Sequence, residues 1–191
     1  MILALLPAWG AARAIVVLGD SISAGYGLEN PDQGWVGLLQ ARLRDRGDEV
    51  VNAGISGDTT AGGLARLDAL LERYRPAILI LELGANDGLR GLPPARMGAN
   101  LGEIIHRAQA HQAKVLLLGM RIPPNYGKRY NEMFEAVFPE LAQRYGVAYV
   151  PFLLEGVGGN DGLMQPDGLH PNLAAQPVLL ERVWARLEPL L

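Results

Sequence analysis

At 191 residues, with 49% hydrophobic and 19% charged side chains, the chain can bury one substantial core, a balance that excludes a disordered polymer. Its 17 basic and 20 acidic residues give a net charge of -3 without long runs of either sign, so the clustered Lys and Arg of a nucleic-acid partner are missing. Cysteine is absent, which removes disulfides, thiolate metal sites and a cysteine nucleophile, and fits any redox compartment.

The amino-terminal stretch is apolar from Ile2 to Leu6 and breaks at Pro7-Ala8-Trp9-Gly10. It then shows Ala12-Arg13-Ala14, the small-x-small form of a leader cleavage site. Residues 1–14 therefore read as a clipped or mis-started export signal, which places the protein in the periplasm or outside the cell. The alternative is a sticky terminus on a cytoplasmic protein, because no basic residue precedes the apolar region. The stretch is too short to span a bilayer, so no integral membrane span is expected. Residues 15–191 read as one domain, without repeats, low-complexity tracts or a linker.

Five apolar segments follow in order: Ile15–Leu18, Val50–Ala53, Ile78–Leu83, Val115–Leu118 and Val147–Val150. None alternates strictly, as suits parallel strands covered on both faces. Between them lie helical patterns. Trp35, Leu38, Leu39 and Leu43 share one helix face, and Leu64, Leu67 and Leu71 share another. Pro93-Pro94 opens a helix reaching about His111, since proline suits a first turn. Tyr130 to Tyr145 is helical in pattern, with Pro139 expected to kink or split it. A last helix carries Leu180, Val183, Trp184 and Leu187, and Pro177 restricts where its regular part begins. Alternating strands and helices imply right-handed crossovers and an α/β fold, a three-layer α/β/α sandwich on a five-stranded parallel sheet.

In such a sheet, ligands bind beyond the carboxyl ends of the strands. Those ends carry Gly19-Asp20-Ser21, the Gly54–Gly63 stretch, Gly84-Ala85-Asn86-Asp87 and Met120–Tyr126. A serine hydroxyl needs a base to become a nucleophile. His106 and His111 fall in or near the end of a helix, at a spacing of five that does not match a helical zinc pair. His170, after the turn-rich Gln165-Pro166-Asp167-Gly168, is the base candidate. Asp167 either orients His170 through its ring N–H or only closes the Asp-Gly turn. Asp20 competes as partner, but at a strand end its side chain should point away from that of Ser21, which leaves it holding the loop. Three oxyanion donors converge: the Ser21 backbone N–H, Gly57 in the turn Ile55–Thr59, and the Asn86 side-chain amide.

These residues resemble the SGNH, or GDSL-type, hydrolases. Gly19-Asp20-Ser21 is similar to that family's first block, Gly57 to its second, Gly84-x-Asn86-Asp87 to its third and Asp167-x-x-His170 to its fifth, in the family's order. Stretches Gly19–Tyr26, Asn52–Thr59, Glu82–Arg90 and Asn125–Glu132 resemble its bacterial acyl-CoA thioesterase, lysophospholipase and arylesterase group. The resemblance implies Ser21 as nucleophile, His170 as base, Asp167 as its partner, and Ser21, Gly57 and Asn86 as oxyanion hole. It also implies a flavodoxin-like strand order and no metal or organic cofactor. The loop Gly27–Gly34 is longer than the family pattern and leaves the residues at the acyl entrance open.

The expected reaction is hydrolysis of small-molecule esters, thioesters or lysophospholipids by a monomer. Ile122, Pro123, Tyr126 and Leu169, with Phe152 to Val157, are the candidate lining of an apolar acyl groove. Two other readings stay open: a carbohydrate O-deacetylase on the same scaffold, and a flavodoxin-like phosphate or nucleotide-binding module using Gly54–Gly63.

Overall fold

Each apolar run becomes a strand: β1 (Ala14–Gly19), β2 (Glu49–Gly54), β3 (Ile78–Glu82), β4 (Lys114–Leu118) and β5 (Ala148–Val150). The computed structural model describes residues 13–191. All neighbouring strands pair in parallel, in the order β2-β1-β3-β4-β5. This is the flavodoxin-like order, and its switch point lies between β1 and β3, where a crevice opens at the carboxyl edge. Ile15 to Leu18 and Leu79 to Leu81 are fully buried, which explains why these strands show no polar alternation.

Helices α1 (Ser21–Ala24), α2 (Trp35–Leu43), α3 (Thr60–Tyr74), α4 (Ala85–Leu89), α5 (Pro94–Ala110), α6 (Lys128–Tyr145) and α7 (Gln176–Leu187) complete the fold. On one face α3, α5 and α6 pack side by side, and α2 packs with α7 on the other. Leu67, Leu71, Leu101, Ile105, Phe134 and Phe138 turn into the core from the first group, and Trp35, Leu39, Leu43 and Val183 from the second.

One expectation needs correction. Pro139 neither ends nor splits α6, which runs unbroken through it. Pro139 lies on the exposed side of the helix, where a carbonyl left without an N–H partner can turn toward water. The leader-like segment of residues 1–14 reaches the described residues at its end, where Ala14 is the first residue of β1, paired with Glu49. Arg13 is anchored as well: its guanidinium forms two hydrogen bonds to the buried Asp48, at 3.0 and 2.8 Å, and a third to the Leu191 carbonyl. Residues 1–12 of that segment lie outside the described residues.

Candidate active site

At the end of β1 the chain must turn at once into a helix. Asp20 caps α1 by accepting the Ile22 N–H at 3.0 Å, and Gly25 ends this single turn with a left-handed φ of 73°. Gly19 permits the close approach, since a Cβ there would sit 2.4 Å from Ser23 Oγ. Ser21 is therefore the first helical residue, 8% exposed and fixed at the sheet edge.

The loop before α7 brings the imidazole to it across 149 residues of sequence. His170 Nε2 lies 2.9 Å from Ser21 Oγ, and His170 Nδ1 lies 2.6 Å from Asp167 Oδ2. Asp167 also closes the turn, its Oδ1 accepting the Leu169 and His170 N–H groups at 2.9 and 3.0 Å. Burial works against the Asp167 charge. The His170 backbone and ring N–H groups and the Leu169 N–H outweigh it and draw the carboxyl down to about 2. An ionised Asp167 accepts only, so Nδ1 carries the proton and Nε2 is left to accept one from Ser21.

Two loops bring the remaining groups. Gly57 adopts a φ of 80°, a Cβ there would meet only Arg90 Nη2 at 3.8 Å, and its carbonyl accepts from Arg90 at 2.7 Å. Asp87 ties the β2 and β3 loops together by accepting the Thr60 N–H at 2.8 Å and the Thr60 hydroxyl at 2.6 Å. Arg66 on α3 donates to the Ala53 and Gly19 carbonyls and to Asp58, and so ties the ends of β1 and β2 to the Gly57 turn. Asn86, on α4, donates from Nδ2 to Asp20 Oδ2 at 3.0 Å. Asp20 thus holds the loop as expected, and Asn86 with it.

Ser21, Asn86 and His170 line one cavity of about 140 Å³, and Gly57 is not among its lining residues. A second, largely apolar cavity of about 390 Å³ adjoins it, and both are lined by Arg121, Ile122, Pro123, Leu154 and Leu169. Ile122, Pro123 and Leu169 therefore line both cavities. Tyr126 lines neither: its hydroxyl donates to the Leu89 carbonyl at 2.7 Å and its ring packs 6.3 Å from that of Tyr130. It buttresses Leu89, which itself lines the inner cavity.

The sequence matches the GDSL-like Lipase/Acylhydrolase family over residues 17–176. The chain belongs to that family. It is 58% identical over 191 residues to Esterase TesA of Pseudomonas aeruginosa, covering 99% of this chain and 94% of that protein. It is 44% identical over 180 residues to thioesterase 1/protease 1/lysophospholipase L1 of Escherichia coli, covering 94% of this chain and 86% of that protein. A crystal structure of TesA matches the fold with a TM-score of 0.90 at 58% identity, covering 94% of this chain and 100% of that one. Membership makes the chain an ester-hydrolysing enzyme, and the reading as a phosphate-binding module falls.

Residues outside the family motifs also brace the site of this GDSL hydrolase. Gln165 Nε2 donates to the Tyr26 carbonyl at 2.7 Å and the Pro171 carbonyl at 3.1 Å, joining the serine loop to the histidine loop. Tyr26 lays its ring 4.5 Å from that of His170. Arg121 stacks its guanidinium 4.8 Å over Phe152 and pairs with Glu135 at 3.2 Å, which holds the groove wall. Glu82 is fully buried beside Asp20. Among the described residues, no helix is long and apolar enough to cross a membrane.

Proposed function

We propose that this GDSL hydrolase is a serine esterase that cleaves esters, and thioesters or lysophospholipids, of medium-length apolar acyl chains through an acyl-enzyme on Ser21. The observation that carries the reading is the unbroken Ser21–His170–Asp167 hydrogen-bond chain, set in a cavity that adjoins an apolar one. As Ser21 Oγ bonds to the acyl carbon, its proton passes to His170 Nε2, and Asp167 stabilises the imidazolium. The oxyanion is met by the Ser21 and Gly57 N–H groups and the Asn86 amide. Collapse breaks the bond to the leaving oxygen or sulfur, which takes the proton from His170. Water then attacks the acyl-enzyme with His170 again as base, releasing the acid and restoring Ser21.

The cavity lined by Phe152, Leu154 and Met164 favours acyl chains over the acetyl group of a sugar ester. Each methylene it covers contributes about 0.8 kcal/mol, or about fourfold in kcat/KM, until the groove is full. The test is hydrolysis of aryl esters with two to twelve acyl carbons by wild type and Ser21→Ala. Loss of activity in Ser21→Ala together with a rise from acetyl to mid-length chains supports the proposal. A fully active Ser21→Ala, or a maximum at acetyl, refutes it.

Export is the localisation that the leader-like segment supports. Of the two guanidiniums that pair with the buried Asp48, Arg13 at 2.8 Å is nearer than Arg46 at 3.6 Å, so processing is expected on the amino-terminal side of Arg13. The mass of the mature protein from a periplasmic extract decides this: a chain that starts after Arg13 contradicts it.

A further inference from the structure

Glu82 closes β3 with its carboxyl fully buried, and the triad does not use it. Its Oε2 accepts the Ser23 hydroxyl at 2.7 Å and the Asp20 N–H at 3.1 Å. Its Oε1 is buried and meets no N–H or O–H donor. The Asp20 backbone thus sits on the Glu82 carboxyl, and this brings the two acidic side chains beside one another. Both oxygens of Asp20 are taken by N–H donors, Oδ1 by Ile22 and Oδ2 by Asn86, each at 3.0 Å. Ionised carboxylates only accept, so two of them in contact need one proton between them. Asp20 is solvated by N–H groups as an anion would be. Glu82 Oε1 is the buried oxygen of the cluster that lacks a donor, as an oxygen carrying its own hydrogen would.

We propose that Glu82 is held as the neutral acid, donating its proton to the Asp20 carboxylate, and that Glu82 is a positioning residue which sets the Asn86 amide through Asp20. The chain runs Glu82, Asp20, Asn86, with one Asn86 N–H committed to Asp20 and the second left for the cavity that Asn86 lines. Burial, and then the Asp20 charge, push the Glu82 carboxyl well up, against the Ser23 and Asp20 donors. Burial likewise raises Asp20, to about 6; the Ile22 N–H, Glu82, the nearby His170 and Asn86 act in the other direction. A neutral Glu82 keeps a second negative charge away from the place where the oxyanion develops. The catalytic consequence rests on Asn86 acting as an oxyanion donor; the shared proton does not.

The test is an infrared difference spectrum, wild type minus Glu82→Gln at neutral pH, read beside the kinetics. The expected spectrum carries the C=O stretch of an undissociated carboxylic acid; its absence overturns the proposal. Glu82→Gln replaces the O–H donor with N–H and is expected to keep near wild-type kcat. Glu82→Met has no donor and is expected to lower kcat by up to about a hundredfold at unchanged KM, the scale of one lost oxyanion donor. Should Glu82→Met fail to fold, Asp20→Asn takes its place, since it weakens the acceptor for Asn86, and the same kcat loss is expected. Wild-type kcat in the folded variant, or equal damage in Glu82→Gln and Glu82→Met, overturns the positioning role. Full activity in Asn86→Ala removes the catalytic consequence alone, while the infrared band still decides the proton.

Discussion

Asp167→Asn separates the turn from the triad. In the native protein one oxygen of Asp167 accepts two backbone N–H groups and the other accepts His170 Nδ1 at 2.6 Å. Asparagine keeps an oxygen for the two N–H groups, so the loop geometry stands. Its amide nitrogen then faces Nδ1 and donates, which forces the ring proton onto Nε2. That atom lies 2.9 Å from Ser21 Oγ and can no longer accept its proton. The same tautomer error in a serine-protease triad lowers kcat by about 10⁴, or about 5.4 kcal/mol of activation free energy. Asp167→Ala removes both effects together and forfeits about 0.5–1.5 kcal/mol for each lost backbone bond. Its melting temperature should therefore fall where that of Asp167→Asn holds. The assay is initial-rate hydrolysis of a mid-length aryl ester with thermal melts of each variant. Asp167→Asn within tenfold of wild-type kcat, in a protein that melts normally, would refute Asp167 as the group that sets the tautomer.

Asn86→Ala is expected to lower kcat by about 10²–10³ with KM nearly unchanged, and a pure KM effect contradicts the oxyanion role. Gly158→Leu tests the groove: its Cβ meets only ordinary contacts, at 3.5 Å from the Leu154 carbonyl and 3.7 Å from Phe152, so the side chain fits and fills the outer cavity. Activity on acetyl esters should persist while selectivity for long chains falls about fourfold per excluded methylene; an unaltered chain-length profile rules that groove out. Stability carries a sign of its own. A buried Glu82 with its carboxyl pushed up holds its proton in the folded state after the unfolded chain has released it. Stability relative to Glu82→Gln therefore falls as pH rises above the ordinary glutamate range, and the melting temperature of wild type minus that of Glu82→Gln should decrease from about pH 4 to 7. A gap that stays constant across that window is the contrary result.

Strands and motifs were legible in the sequence for one reason: both are set locally. A run such as Ile15-Val16-Val17-Leu18 must be covered on both faces whatever follows it, and Gly-Asp-Ser at its end must then project from the sheet edge. Side-chain destinations were less legible. Tyr126 stands in the right loop for a groove residue, but which carbonyl its hydroxyl meets depends on where α4 ends, at Leu89. Pro139 breaks an isolated helix in principle, yet the outcome turned on which side of α6 faces water. Gln165 gave no signal at all, because its partners Tyr26 and Pro171 become neighbours only after folding.

Glu82 did leave a signal, in the one place where the hydrophobic pattern fails. It is the sole charged residue in the apolar run Ile78–Leu83, flanked by Leu81 and Leu83, and it falls where β3 passes beside the end of β1. A strand that buries both faces gives a carboxyl no route to water, and Gly19 opposite it is the register partner of Glu82. The residue that follows Gly19 is Asp20, so the register alone brings the second carboxyl to the first. The charge inside that run and the motif at the end of its neighbour are therefore two parts of one arrangement, with Asn86 joined to it four residues further along the same strand end. A lone ionisable residue in an otherwise apolar parallel strand thus marks the strand end to examine for chemistry, since only a partner at that edge makes its burial tolerable.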